Sequence, residues 1–228
     1  MSLLSVRRVA DVRPVPTHTR IYFIRHGESE ANAEGILYGQ TDCALSVRGI
    51  SQAEKTGEYL RDRQIDALYC SDLQRARVTA VAIGLFHPDL RVRTNIALRE
   101  INCGEWEGKT VDWIRENYPE EYRVWRENIG RSVRPGGESV AQMQKRIVRR
   151  IKHIVKKHEG QTVCIVIHAM AIRAFCAFAE GKTLDEMKDV PWVSNASVTT
   201  LTCEDGKFTL EELGYDEHLG DRVTTLKL

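Results

Sequence analysis

Three short apolar runs, each stopping at a polar or charged residue where a helix begins, constrain this chain more than any other feature. They are residues 20–24 (RIYFI), 67–70 (ALYC) and 163–167 (VCIVI), and the last is a β-branched run interrupted by one cysteine. Strands that are apolar on both faces belong to parallel sheets covered on both sides by helices. Helices are predicted between them: residues 46–63 with Ser46 as N-cap, a helix capped by Ser71 and carrying Ala76, Val78, Ala80 and Ile83, and residues 169–179. The turn Pro135-Gly136-Gly137 opens a long helix from about Glu138 to His158. Residues 90–92 read as a short strand, and residues 198–201 and 208–213 as a hairpin around Asp205-Gly206.

This alternation predicts an α/β fold, a three-layer α/β/α sandwich with a mainly parallel central sheet. The length of 228 residues fits one domain, placed at 20–228. Residues 1–19 are read as a lead-in that Pro14 and Pro16 make extended or disordered. Residues 100–108 form a loop, and residues 111–128 look helical with a break near Pro119. The segment 102–137 shows no strand and reads as a helical insertion near one end of the sheet.

In a parallel sheet the three strand-to-helix junctions fall on the carboxyl edge, where α/β folds bind ligands. Arg25, His26, Arg75 and His168 are thereby expected to converge. Taken singly, a histidine after a strand is more often structural, and a first-turn arginine more often solvated. Two guanidiniums, two imidazoles and helix N-termini together make an anion site, best matched to a phosphate dianion. The formal net charge of +1 provides no global field for nucleic acid or an anionic membrane, so anion selectivity must be local. No apolar run approaches the ~20 residues of a spanning helix, and no signal peptide is read. The six cysteines form no CxxC pair and suggest neither zinc nor a disulfide framework, which points to a reducing, cytoplasmic setting.

The junction residues sit within longer motifs. Arg25-His26-Gly27-Glu28-Ser29, followed by Asn32, resembles the R-H-G-E-[ST] motif of the histidine phosphatase (phosphoglycerate mutase-like) superfamily. SDLQRARVTA at 71–80, LREINCGEWEG at 98–108, PGGES at 135–139 and VIHAM at 166–170 resemble that family's other segments, in order, across about residues 20–213. The resemblance implies that His26 is a nucleophile forming a phosphohistidine. It also implies that Arg25, Arg75 and His168 hold the phosphoryl oxygens, and that Glu100 is the general acid and then the base. A protonated Glu100 requires burial or nearby carboxylates to outweigh the nearby cations. Asn32, Tyr38 and Gly39 fall where the family lines the pocket beyond the phosphate. Ala169 stands where the family usually has glycine; its N–H still serves as a phosphate donor, and its methyl obstructs only if φ is positive or the phosphate sits against the α-carbon. Neither cofactor nor metal is implied.

Other signals carry less weight. The stretch KRIVRRIKHIVKKH (145–158) has seven Lys/Arg and no acid. Its Ile147, Val148, Ile151, Ile154 and Val155 fall within roughly 120° of a helix. A calmodulin target or membrane-surface helix has that form, but a sheet-covering helix with a solvated basic face is the preferred reading. Trp106 is the pocket candidate among the tryptophans, and Cys103 is read as a bystander thiol. His18, His87, His153, His158 and His218 have no partner identifiable in the sequence.

The function these readings support is a metal-independent phosphomonoesterase acting on a small phosphorylated substrate, without nucleic acid or membrane partners. A mutase is the alternative, disfavoured because Arg123, Arg126, Arg131 and Arg134 are dispersed rather than paired. A weakly catalytic phosphoprotein-binding module ranks last. Substrate identity and oligomeric state, a homodimer included, stay open.

Overall fold

The computed structural model describes residues 18–224, so the lead-in expected at 1–19 lies outside the described residues except at its end, where Thr19 is buried and already belongs to the first strand. In chain order the elements are β1 (Thr19–Arg25), α1 (Glu30–Glu34), β2 (Ile36–Leu37), α2 (Val47–Leu60), β3 (Ala67–Cys70), α3 (Gln74–Gly84) and β4 (Val92–Thr94). There follow β5 (Lys109–Thr110), α4 (Val111–Asn117), α5 (Pro119–Glu127), α6 (Val140–Lys157), β6 (Thr162–Ile167), α7 (Ala169–Ala179), β7 (Val198–Glu204) and β8 (Lys207–Tyr215). The main sheet has the order β4-β3-β6-β1-β7-β8. β4, β3, β6 and β1 run parallel, and β7 and β8 are antiparallel additions.

Alternation along β1 divides the core. Ile21 and Phe23 face one cluster with α6 and α7, while Tyr22 and Ile24 face another with α2 and α3. Phe23 meets Phe175 of α7 edge-on at 5.1 Å, which ties sheet to helix. The apolar stripe of α6, including Met143, Ile147, Ile151 and Ile154, is buried, so this basic helix covers the sheet. These layers are the α/β/α sandwich expected.

Several local expectations change. Ser71 does not cap α3; its Oγ accepts from Leu73 N, and the N–H of Gln74 is met by Asp42 Oδ1 at 2.7 Å. An acid from a distant loop thus replaces the local cap. The insertion is not free of strand: β5 pairs with β2. β4 lies two residues later than expected. The β7–β8 hairpin turns at Asp205 (φ 50°) and Gly206 (φ 78°), the left-handed pair that a two-residue turn needs. Three of the unassigned histidines have partners that only tertiary packing provides. His158 lies between Tyr69 Oη and Gln161 Oε1, His218 contacts Thr56 Oγ1, and His87 contacts the Leu60 carbonyl.

Candidate active site

Parallel register places the strand ends side by side. Arg25 of β1 is level with Ile167 of β6, and Val166 of β6 with Cys70 of β3. The residues that follow, His26, His168 and Ser71, therefore emerge at one edge. The N–H of His26 donates to the Ile167 carbonyl at 3.0 Å, joining two of the junctions directly.

His26 is buried, and its Nδ1 lies 2.7 Å from the Gly27 carbonyl. A carbonyl only accepts, so Nδ1 carries the proton and Nε2 keeps its lone pair. Burial, then Arg75 and Arg25, hold the His26 pKa well below that of an ordinary histidine. His168, the N-cap residue of α7, has no accessible surface, and neither ring nitrogen has a partner. Its pKa is also pushed well down, first by burial and then by Arg75 and His26.

Two buried arginines are aimed by backbone carbonyls. Arg25 Nη1 donates to Val193 O at 2.7 Å and leaves Nε without a partner. Arg75 donates from Nη2 to Gly39 O at 2.7 Å and from Nη1 to Thr41 O at 3.0 Å. Burial lowers the Arg25 pKa to about 10, with Glu100 pulling it up; it remains a cation at neutral pH.

Glu100 receives a backbone N–H on each oxygen, from Ile101 at 2.9 Å and Met170 at 3.0 Å. Those bonds and the two arginines favour the carboxylate, but burial dominates and the pKa is raised. The balance that the sequence left open therefore falls on the side of a raised pKa.

The cleft, about 640 Å³ with the open space at its mouth, is walled by Arg25, His26, Arg75, Glu100 and Ala169, with Asn32 and Tyr38 further out. His168 is not on that wall; it stands behind, its ring edge-on to His26. Gly39 is not on the wall either, and its contribution is the carbonyl that holds Arg75. Ala169 opens α7 without positive φ, so its methyl adds no backbone strain. Trp106 is fully buried and lies off the cleft, whereas Trp125 and Trp192 line it. Among the described residues, no three His, Cys, Asp or Glu side chains are grouped to hold a metal ion.

Two further residues were missed from sequence. Asn195 Nδ2 donates to the His26 carbonyl at 3.3 Å and to Asn32 Oδ1 at 3.2 Å, bracing both. It sits in a loop without periodicity, and no local pattern marks it. Arg134 stands on the cleft wall, buried over two indoles. Its position directly before the PGG turn was the only hint.

With this geometry in place, comparison with known proteins is specific. Residues 21–216 match the model of the histidine phosphatase superfamily (branch 1). Phosphoserine phosphatase 1 of Hydrogenobacter thermophilus is 32% identical over 202 residues, spanning 89% of this chain and 95% of that protein. The metal-independent phosphoserine phosphatase of Arabidopsis thaliana is 31% identical over 218 residues, spanning 92% and 87%. The solved structure of Bacillus stearothermophilus YhfR superposes with a TM-score of 0.84 at 30% identity, covering 88% of this chain and 99% of that one. The chain belongs to the histidine phosphatase superfamily. It is an enzyme of the phosphoglycerate mutase-like kind, as its motifs anticipated.

Proposed function

We propose that this chain hydrolyses small phosphomonoesters without a metal ion, through a phosphohistidine at His26. One observation carries the reading: the Nδ1 contact to Gly27 O leaves a neutral Nε2 on the wall of a buried cationic cleft. Nε2 attacks phosphorus, and the bond from phosphorus to the ester oxygen breaks. Glu100 gives its proton to the departing oxygen. A water then attacks the phosphoryl group and loses a proton to Glu100, the P–N bond breaks, and inorganic phosphate leaves with His26 neutral again. Arg25 and Arg75 stabilise the phosphoryl oxygens as charge moves onto them, and His168 packs edge-on against the ring that carries the phosphoryl group. The relatives named for phosphoserine support an ester of a small metabolite as substrate.

The test is phosphate release from a panel of phosphomonoesters with EDTA present, run beside His26→Ala, with rapid acid-free quenching to trap labelled protein. The expected result is EDTA-insensitive release that His26→Ala abolishes, and a base-stable, acid-labile label. Release that survives in His26→Ala would overturn the mechanism. Label passing to another ester in place of phosphate would make the chain a mutase.

A further inference from the structure

The peptide groups on either side of Gly27 decide which nitrogen of His26 is free. The carbonyl of the Gly27–Glu28 peptide takes the Nδ1 proton at 2.7 Å, so Nε2 keeps its lone pair while that peptide holds its plane. The plane is fixed from its other end, where the N–H of Glu28 donates to Gln52 Oε1 at 2.8 Å. The preceding peptide is held as well. Its His26 carbonyl accepts from Asn195 Nδ2 and from Ala196 N, and its Gly27 N–H donates to Thr79 Oγ1.

One hydroxyl joins the Gln52 and Asn195 side chains. Thr224 Oγ1 accepts from Gln52 Nε2 at 2.9 Å and donates to Asn195 Oδ1 at 3.3 Å, while the Thr224 carbonyl accepts the Asn195 N–H at 2.9 Å. These bonds close a ring through the backbone of residues 26–28, and chemistry dictates the sense of each. The His26 carbonyl only accepts, so Asn195 turns its amide nitrogen inward and its oxygen toward Thr224. The hydroxyl has one proton, gives it to that oxygen and faces Gln52 as an acceptor. Gln52 then shows Nε2 to Thr224 and Oε1 to Glu28, which is the atom the Glu28 N–H needs. Gln52 and Asn195 are both buried, so bulk water does not set their amides.

We propose that Thr224 is a positioning residue for His26: its hydroxyl orients the Gln52 and Asn195 amides, and through them the peptide whose carbonyl keeps Nε2 free. This rests on the phosphomonoesterase reading, in which Nε2 attacks phosphorus, and adds to it a residue from the far end of the described chain.

The test compares Thr224→Val, which keeps the shape and deletes the hydroxyl, with Thr224→Ser, which keeps the hydroxyl. Thr224→Ala, measured alongside, gives the same readout should the valine not be accommodated. Thermal unfolding sets a temperature at which every variant is folded. There, the single-turnover rate of phosphoenzyme formation from p-nitrophenyl phosphate should fall at least about fivefold in Thr224→Val, with KM changed by less than about twofold. Thr224→Ser should return most of that rate. The imidazole ¹⁵N spectrum of His26 should show protonated Nδ1 and free Nε2 in the wild type and in Thr224→Ser, and a mixture of tautomers in Thr224→Val. Thr224→Val combined with Asn195→Ala should lose less than the product of the two single losses, because both open one ring. An unchanged rate and spectrum in folded Thr224→Val overturns the proposal. So does an equal loss in Thr224→Ser, or a double variant that loses the full product. A wild type that forms no phosphoenzyme at His26 from any ester would instead overturn the phosphomonoesterase reading, and the ¹⁵N comparison would still decide whether Thr224 orients the ring.

Discussion

The imidazole of His168 meets that of His26 edge-on, with centroids 5.0 Å apart and planes inclined at 61°. Both rings are buried and both are held neutral by burial and by the arginines beside them. Their burial ties folding to pH. An unfolded histidine gains its proton near pH 6.5. Below that value the unfolded chain binds protons that the folded chain refuses, so stability is complete above about pH 6.5 and is lost as pH falls. Each ring contributes a slope of up to about 1.4 kcal/mol per pH unit in that window. Glu100 acts in the opposite sense: its raised pKa contributes stability at acid pH that disappears as pH rises through the folded value. Urea unfolding of the wild type and of His168→Asn, compared at about pH 6.5 and about pH 5.5, should show the smaller loss in the variant. Equal losses would mean that His168 does not resist protonation.

Glu100 supplies the second prediction. A proton on the departing oxygen matters for an alkoxide and little for p-nitrophenolate, which leaves unaided. Glu100→Gln keeps the shape and one acceptor for the N–H groups of Ile101 and Met170, but has no proton to exchange. Its turnover of an alkyl phosphate should fall by about 10²–10⁴-fold, the range of general acid–base catalysis. With p-nitrophenyl phosphate the phosphorylation step should change by less than about tenfold. The wild-type rate on the alkyl ester should decline as pH rises through the Glu100 pKa, because the raised value preserves the acid form only up to that point. Matching losses on both esters would remove the residue from this role.

Much of this was legible in the sequence, and the reason is local. Arg25, His26 and His168 lie within two residues of an apolar run, and Arg75 in the first turns of a helix, so the rule that parallel strands share a carboxyl edge was enough to gather them. What stayed hidden depends on packing between distant segments. Nothing near Arg134 says that Trp106 and Trp125 will pack together against it, so it looked like one of four scattered arginines. Trp106 was assigned to the pocket because it shares a loop with Glu100, yet the turn at Gly104 (φ 54°) and Trp106 carries that side chain into the core. Asn195 reaches His26 only because the antiparallel strand β7 is entered by a loop across the end of β1. There Ala196, at φ 58°, points its N–H toward the carbonyls of Arg25 and His26. A residue without glycine's freedom holding that conformation is a long-range outcome with no local code.

Glu107 should matter more than its place outside the cleft suggests. Its two oxygens accept four backbone N–H groups, from Gly39, Gln40, Thr41 and Cys103, at 2.8–3.2 Å. The carbonyls of Gly39 and Thr41 in that same loop aim Arg75. Glu107 is thus a positioning residue for Arg75, the arginine proposed to bind phosphate. Glu107→Gln replaces one acceptor oxygen by a donor that faces N–H groups. It should lose about 2–3 kcal/mol of stability, the scale of one or two unsatisfied buried groups. At a temperature where the variant is fully folded, kcat should fall and inhibition by inorganic phosphate should weaken together, since both depend on Arg75. A destabilised variant with unchanged phosphate affinity would show that the loop holds Arg75 without Glu107.

The tightest structural demand in the site is the meeting of two glycines. A Cβ added to Gly27 would stand 2.3 Å from the Gly49 carbonyl oxygen, and one added to Gly49 would stand 1.9 Å from the Glu28 carbonyl oxygen. Neither glycine has positive φ, so the requirement is close approach of the first turn of α2 to the turn after β1. Both obstacles are backbone atoms and cannot rotate aside. Gly35 offers the opposite case: its φ is 71°, and nothing lies within 4 Å of the added carbon. Gly35→Ala should therefore cost about 1 kcal/mol, the left-handed backbone term alone. Gly27→Ala and Gly49→Ala should each cost more than about 3 kcal/mol, the scale of a core clash that the backbone must move to relieve. Because His26 adjoins Gly27, the movement should also shift Nε2 and lower kcat by at least about tenfold in whatever folds. Urea unfolding of the three alanine variants, with turnover measured on each, checks the order. Gly27→Ala unfolding like Gly35→Ala would show that α2 rides away from the strand end at little cost and that the approach of these two backbones does not set the position of His26.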